Sequence, residues 1–238
     1  MQALLVYAHP EPRAFNAALR DIAIQTLLDQ GYEVEVSDLY AMNFDAVAGR
    51  GDFTESKNSE ILNLSLEQRH AAKNGTLSPL IAQQLAALQK ADLLILHFPL
   101  WWFGMPAILK GWIDRVFISG VAYGRSAQFE RGKFLGKRAL VCTTTGAPEI
   151  SFTSHGINGE MNTLLMPLLR GVLGFTGMTV LPPFVGYEVP YIGEIARQDM
   201  ILSYGDYIKN LESLTPLPMP RLADHPEIPT GHDRPQAL

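Results

Sequence analysis

Cysteine is almost absent. Cys142 is the only one in 238 residues, so no disulfide can close within the chain, and its place in the apolar run 139–142 is that of a small buried thiol rather than a reactive one. Neither sign of charge is in large excess: 19 Lys and Arg stand against 24 Asp and Glu, a net charge of -5 that leaves no basic footprint for nucleic acid. No apolar run approaches the ~18 residues of a membrane span. No basic leader precedes the first strand-like segment, so the expected setting is the cytoplasm, with no integral membrane segment. Glycine is missing from residues 9–16 (HPEPRAFN), where a dinucleotide fold would place G-x-G-x-x-G, and this excludes NAD bound in the Rossmann manner.

What is present is organised around residues 93–106, LLILHFPLWWFGMP. The apolar run 93–98 has the length and composition of a buried parallel strand. It ends at Pro99, and an aromatic-rich loop with Leu100, Trp101, Trp102, Phe103 and Met105 leads to Pro106, a favoured first-turn residue for the helical pattern 107–113. Ligands of open α/β sheets bind outside the carboxyl ends of strands, so this loop is a candidate wall for a flat aromatic ligand; core packing or a subunit interface is the alternative use of such a cluster.

The same strand-then-helix alternation runs along the chain. Residues 3–8 read as a first strand, 17–28 as a helix stopped by Gly31, and 33–38 as a half-exposed edge strand. An irregular excursion follows to about residue 58. Ser78-Pro79 opens a helix over 80–90, residues 138–144 form a fourth strand, 160–173 a helix, 179–185 a fifth strand and 192–214 a last helix. Five strands alternating with five helices imply parallel strands and right-handed crossovers, hence a three-layer αβα sandwich. Residues 1–214 form the expected domain, and 215–238, with six prolines that forbid a further helix, an extended strap or a disordered end.

Three loops at strand ends carry complementary chemistry. His9, Arg13 and Asn16 offer donors beside a helix N-terminus, where free N–H groups and the helix dipole favour a phosphate, although a solvated polar loop would look the same. The aromatic loop offers a stacking wall. Thr143, Thr144, Thr145, Gly146 and Ala147 end the fourth strand with hydroxyls and backbone amides suited to the polar edge of a heterocycle. Together they describe one site with the shape of a flavin.

Residues 37–44 (SDLYAMNF), 98–112 (FPLWWFGMPAILKGW) and 156–162 (GINGEMN) resemble the NAD(P)H:quinone oxidoreductases, or DT-diaphorases, a flavodoxin-like group. The likeness runs from about residue 4 to residue 212. It implies a five-stranded parallel sheet of order 2-1-3-4-5, and a homodimer with FAD (alternatively FMN) at the subunit interface. It also implies ping-pong two-electron reduction of a quinone, with NAD(P)H as co-substrate.

By position, His9, Phe15 and Asn16 would serve the pyrophosphate. Pro99, Leu100, Trp101, Trp102 and Phe103 would flank the isoalloxazine, and Thr144, Thr145, Gly146 and Ala147 would meet its polar edge. Arg197 would lie at the adenosine end, and Tyr123, Phe129 and Phe175 would line the nicotinamide and quinone pocket. Phe152 and Asn158 stand where the resembling family carries a tyrosine and a histidine that stabilise the reduced flavin. Neither can titrate, and His155, three residues before Asn158, is the candidate replacement. Arg13 stands among positions where the family has hydroxyl residues, which points to charge-based phosphate contacts. A regulatory flavoprotein of a membrane transporter and an azo- or nitro-reductase are the competing functions for the same fold.

Overall fold

The computed structural model describes residues 1–228. At its centre β1 (Gln2–Tyr7) lies between β2 (Glu33–Asp38) and β3 (Leu93–Pro99), and β4 (Arg138–Thr144) continues beyond β3, all parallel. The register sets Leu5 opposite both Val36 and Ile95, and His97 opposite Cys142. All of β3, and all but the first residue of β1 and β4, is buried, which is why these strands read as unbroken apolar runs. β2 exposes Glu33, Glu35 and Val36 and is the sheet edge expected of it.

The expected order 2-1-3-4-5 holds, but the fifth position is filled by two short pieces, β5 (Thr179–Val180) and β6 (Phe184–Gly186), both paired with β4. Pro182 and Pro183 lie between them and have no N–H for a ladder, so the strand expected over 179–185 breaks there.

Helices cover both faces. α1 (Phe15–Asp29) and α7 (Glu194–Lys209) pack on one side, where Leu5, Tyr7 and Ile95 meet Leu19, Leu27, Tyr204 and Ile208. α3 (Pro79–Lys90) and α4 (Ala107–Val116) cover the other, where Leu4, Val6, Leu94 and Leu96 meet Ile81, Leu88, Leu109 and Trp112. The strict alternation of strand residues between these two cores is the period-2 geometry of a pleated strand.

The helices also depart from the sequence reading. α2 (Leu64–Asn74) was not foreseen, because its buried side carries Glu67 and Gln68 instead of an apolar stripe. Glu67 accepts the backbone N–H groups of Lys57 and Asn58, at 2.6 and 2.8 Å, and so anchors the excursion before the helix. The single helix expected over 160–173 is instead α5 (Met161–Leu164), α6 (Met166–Leu168) and a wide turn, Leu169–Gly174; Pro167 has no N–H to continue an α-helix. α1 starts two residues earlier than expected, and α7 stops at Lys209, short of residue 214. The tail is extended except for a 3-10 turn, Leu222–Asp224, so its prolines do not forbid every helical turn; residues 229–238 of it lie outside the described part. Among the described residues no helix is long and apolar enough to cross a membrane.

α4 is fixed from behind. Arg115 forms an ion pair with Asp52 at 2.6 Å, the two side chains 7% and 3% exposed, and also donates to the carbonyl of Asp45. Gly111 lets the helix lie directly on the backbone of Ala46, where any β-carbon would collide. The long excursion is thereby tied to the helix that follows the aromatic loop.

Candidate functional site

A cleft of about 230 Å³ opens at the carboxyl ends of β1, β3 and β4. Its floor joins segments distant in sequence. Asn16, buried in the first turn of α1, donates from Nδ2 to Thr144 Oγ1 at 2.6 Å, while its Oδ1 is buried without a partner. The N-cap of α1 is Ala14, which provides no side-chain acceptor, and the first turn carries no acidic residue. The helix therefore presents uncapped N–H groups and the positive end of its dipole to the cleft. His9, Phe15, Pro99, Leu100, Trp101, Thr145 and Gly146 complete the lining, so most residues expected from the strand ends meet here. His9 Nδ1 accepts the Glu11 N–H at 3.0 Å, which leaves Nε2 as the donor of a neutral ring.

The aromatic loop is a hairpin. Trp101 and Gly104 exchange backbone hydrogen bonds at 2.9 and 3.0 Å, with Trp102 and Phe103 at the tip in left-handed conformations, φ 50° and 59°. Two consecutive positive φ values define the tight turn whose twist suits a hairpin, here built without glycine. Trp102 and Phe103 do not line the cleft within one chain: the tip stands away from it, and Trp102 is 97% exposed.

Other expected residues are distributed unevenly. Arg13 is turned to Glu11, at 3.2 Å, and its side chain faces solvent instead of the cleft. Thr145 directs its N–H to the Gly186 carbonyl at 2.8 Å, and Ala147 leans on Thr145 Oγ1 at 3.3 Å, leaving the Gly146 N–H for a ligand. Arg197 holds the Val189 carbonyl through Nη2 at 3.3 Å, with Nε buried and unpartnered. Phe152 is buried, its ring 5.9 Å from that of Tyr187; Asn158 closes the same loop by donating its backbone N–H to Ser151, and His155 is exposed. Burial, reinforced by the Glu149 carboxylate, raises the Tyr187 hydroxyl above its ordinary pKa.

Tyr123, Phe129 and Phe175 do come together. Phe175 lies 6.3 Å from Tyr123 and 5.7 Å, edge-on, from Phe129. Tyr123 and Phe175 also line an apolar cavity of about 410 Å³ that shares no residue with the strand-end cleft.

Val189 and Pro190 line the cleft and were missed by the sequence reading. They arrive through the pairing of Val189 N–H with the Thr145 carbonyl at 3.1 Å, a long-range contact that no local motif marks. A buried cluster beneath the floor was missed as well. His97 meets Tyr7 and Tyr204 edge-on, at 5.7 and 5.9 Å, and its Nε2 lies 3.4 Å from Cys142 Sγ. Burial drives His97 down to about 3 and pushes the Cys142 thiol and the Tyr204 hydroxyl up. All three are neutral at physiological pH, so Cys142 is the inert core thiol expected.

The cleft fits a flavin. An acceptor without a partner on Asn16, uncapped N–H groups on α1 and a free amide at Gly146 suit a sugar-phosphate chain and the polar edge of a ring system.

The profile of a family described as a flavodoxin-like fold matches residues 1–208. NAD(P)H dehydrogenase (quinone) 1 of Cavia porcellus is 40% identical over 217 residues, covering 91% of this chain and 79% of that protein. Ribosyldihydronicotinamide dehydrogenase (quinone) of Pongo abelii is 38% identical over 218 residues, with coverages of 91% and 94%. A solved structure from Klebsiella pneumoniae, assigned as a quinone reductase, superposes with a TM-score of 0.88 at 38% identity, over 93% of this chain and 88% of that one.

Proposed function

Because this chain belongs to the flavodoxin-like family and, at 40% identity over most of its length, to the NAD(P)H:quinone dehydrogenase branch, we propose that it is a flavoenzyme that oxidises NAD(P)H and reduces a quinone. FAD is the cofactor of first choice and FMN the alternative. The observation that carries the reading is the floor of the cleft, where the uncapped α1 and the buried Asn16–Thr144 pair converge at the ends of β1 and β4.

Flavin, when bound, would supply the two-electron hydride chemistry that links NAD(P)H oxidation to quinone reduction. The protein's part is to bind and orient. The first turn of α1 and His9 would hold the phosphates, Leu100 and Trp101 would pack against the ring, and the Gly146 N–H would donate to its polar edge. Arg197 keeps Val189 and Pro190 on the cleft toward the adenosine end. Phe152 and Asn158 do not titrate, so the proton reaches the quinone from water or from a residue outside this pair.

The reading includes a cytoplasmic homodimer. Trp102, Ile150, Ile157 and Tyr191 are all exposed, an apolar excess that a second copy would cover. Pairing would bring Tyr123, Phe129 and Phe175 of one protomer over the hairpin of the other, forming one nicotinamide and quinone site from walls that are separate within a single chain.

The test is to purify the protein, release and identify its chromophore, and titrate the intact protein anaerobically with NADPH and then with benzoquinone while following the flavin band near ~450 nm. Released FAD, bleaching by NADPH and recovery with quinone are expected. A colourless protein overturns the cofactor assignment, and bleaching without recovery overturns the quinone as acceptor.

A further inference from the structure

Beyond α7 the chain crosses the end of the sheet as a strap. Its alternating prolines 216, 218 and 220 stiffen it in an extended form. Leu217 donates its N–H to the Val180 carbonyl at 2.8 Å, and Met219 lies against Gly174 at the end of the wide turn. Two clefts run beside these contacts, one of about 360 Å³ lined by Phe129, Gly177 and Pro216 and another of about 470 Å³ lined by Met166, Arg170 and Pro218.

At its far end the attachment is polar. Glu130 Oε2 accepts the Leu222 N–H at 2.8 Å and Oε1 accepts the Ala223 N–H at 3.0 Å, two first-turn donors of the Leu222–Asp224 turn that have no partner within the turn. Burial pushes the Glu130 carboxyl up, but the donated N–H groups and Arg131 outweigh it and hold the group below the usual carboxylate range. The carboxylate is therefore charged, and both hydrogen bonds charge-assisted, at neutral pH.

Glu130 follows Phe129, whose backbone is left-handed at φ 48° and whose N–H is fixed to the Phe175 carbonyl at 2.9 Å. Strained backbone of this kind persists only where its surroundings over-determine it. On one side that restraint is Gly132, pressed so closely on Thr176 that no β-carbon would fit. On the other side it is the strap.

We infer that Glu130 is a positioning residue of the substrate site: by clamping the C-terminal strap to the Phe129–Arg131 turn, it holds the Tyr123, Phe129 and Phe175 wall in the shape that nicotinamide and quinone meet. This rests on the reading of those aromatics as the substrate wall.

Two variants break the clamp from opposite sides. Glu130→Ala removes the acceptor. Leu222→Pro removes a donor with little backbone strain, since Arg221 before it has φ -117° and ψ 136°, the conformation favoured ahead of proline, and Leu222 is the first residue of its turn. Each is assayed as the flavin-loaded full chain, with Phe175→Ala for comparison.

The expected result is a rise of about three- to tenfold in KM for NAD(P)H and for quinone, with kcat and flavin content near those of the parent, and no further rise in the double variant. Glu130→Gln, which keeps one carbonyl acceptor, should fall between and serves if Glu130→Ala does not fold. Unchanged KM in the clamp variants with a raised KM in Phe175→Ala overturns the clamp and leaves the wall standing. Unchanged KM in all of them overturns the wall and the clamp with it, as does a loss of flavin parallel to the loss of activity.

Discussion

Asn16 on the floor of the cleft and Trp102 on its rim differ in every structural respect. Asn16 is 4% exposed and hydrogen-bonded to a residue 128 positions away, whereas Trp102 is 97% exposed and held in a left-handed conformation at a hairpin tip. The floor is complete within one chain, its donors fixed by the ends of β1 and β4 and by the start of α1. The rim is an unfinished apolar surface on a strained turn. In the proposed dimer the floor grips the cofactor and the rim receives the partner, so substitutions in the two regions should separate cofactor affinity from fold stability.

The largest effect should come from behind the rim. Asp52→Ala leaves Arg115 buried without its counter-charge, and stability measured by urea unfolding should fall by about 3–5 kcal/mol, releasing the 39–63 excursion from α4. A loss below about 1 kcal/mol would mean that the pair behaves like an exposed one.

The floor comes next. Asn16→Ala removes the hydrogen bond to Thr144 and the acceptor aimed into the cleft, and flavin affinity measured by fluorescence titration should weaken about ten- to a hundredfold, the ~1–3 kcal/mol of a buried polar partner. If affinity is unchanged while stability falls, Asn16 belongs to the scaffold and not to the cofactor.

The smallest effect isolates strain from stacking at the rim. Trp102→Ala and Trp102→Gly both delete the ring and should weaken flavin retention and dimerisation alike, but only glycine adopts φ 50° freely. Trp102→Gly should therefore be about 1 kcal/mol more stable than Trp102→Ala in thermal unfolding. Equal stabilities would show that the turn relaxes once the indole is gone.

Much of this molecule is legible in its sequence. The run over 93–98 is apolar because β3 is covered on both faces, and Gly31, at φ 80°, ends α1 as its position suggests. Thr144 and Thr145 reach the cleft because a parallel strand delivers its carboxyl end to the ligand side, while Thr143, one position earlier, is buried in the sheet. What escaped reading was set by distant partners. α2 was hidden because it buries Glu67 against the backbone of residues 57 and 58. Val189 and Pro190 enter the cleft through a bridge to Thr145 that leaves no local pattern. Arg13 has the right chemistry for a phosphate, yet Glu11 two residues away captures it.

The sequence by itself determined the class of the protein: periodicity marks the central strands and the main flanking helices, and the order of segments with crossovers of this length implies a parallel sheet. It also placed the strand-end loops on one edge. Only the tertiary structure decided which loop residues face the cleft, that Trp102 and Phe103 stand outside it, and that the C-terminal strap is fastened through Glu130 to the aromatic wall. Strand and helix patterns are written in neighbouring residues because backbone geometry repeats over two or 3.6 positions. A site is assembled from groups a hundred positions apart, and which of them meet depends on competition among partners that no local period records.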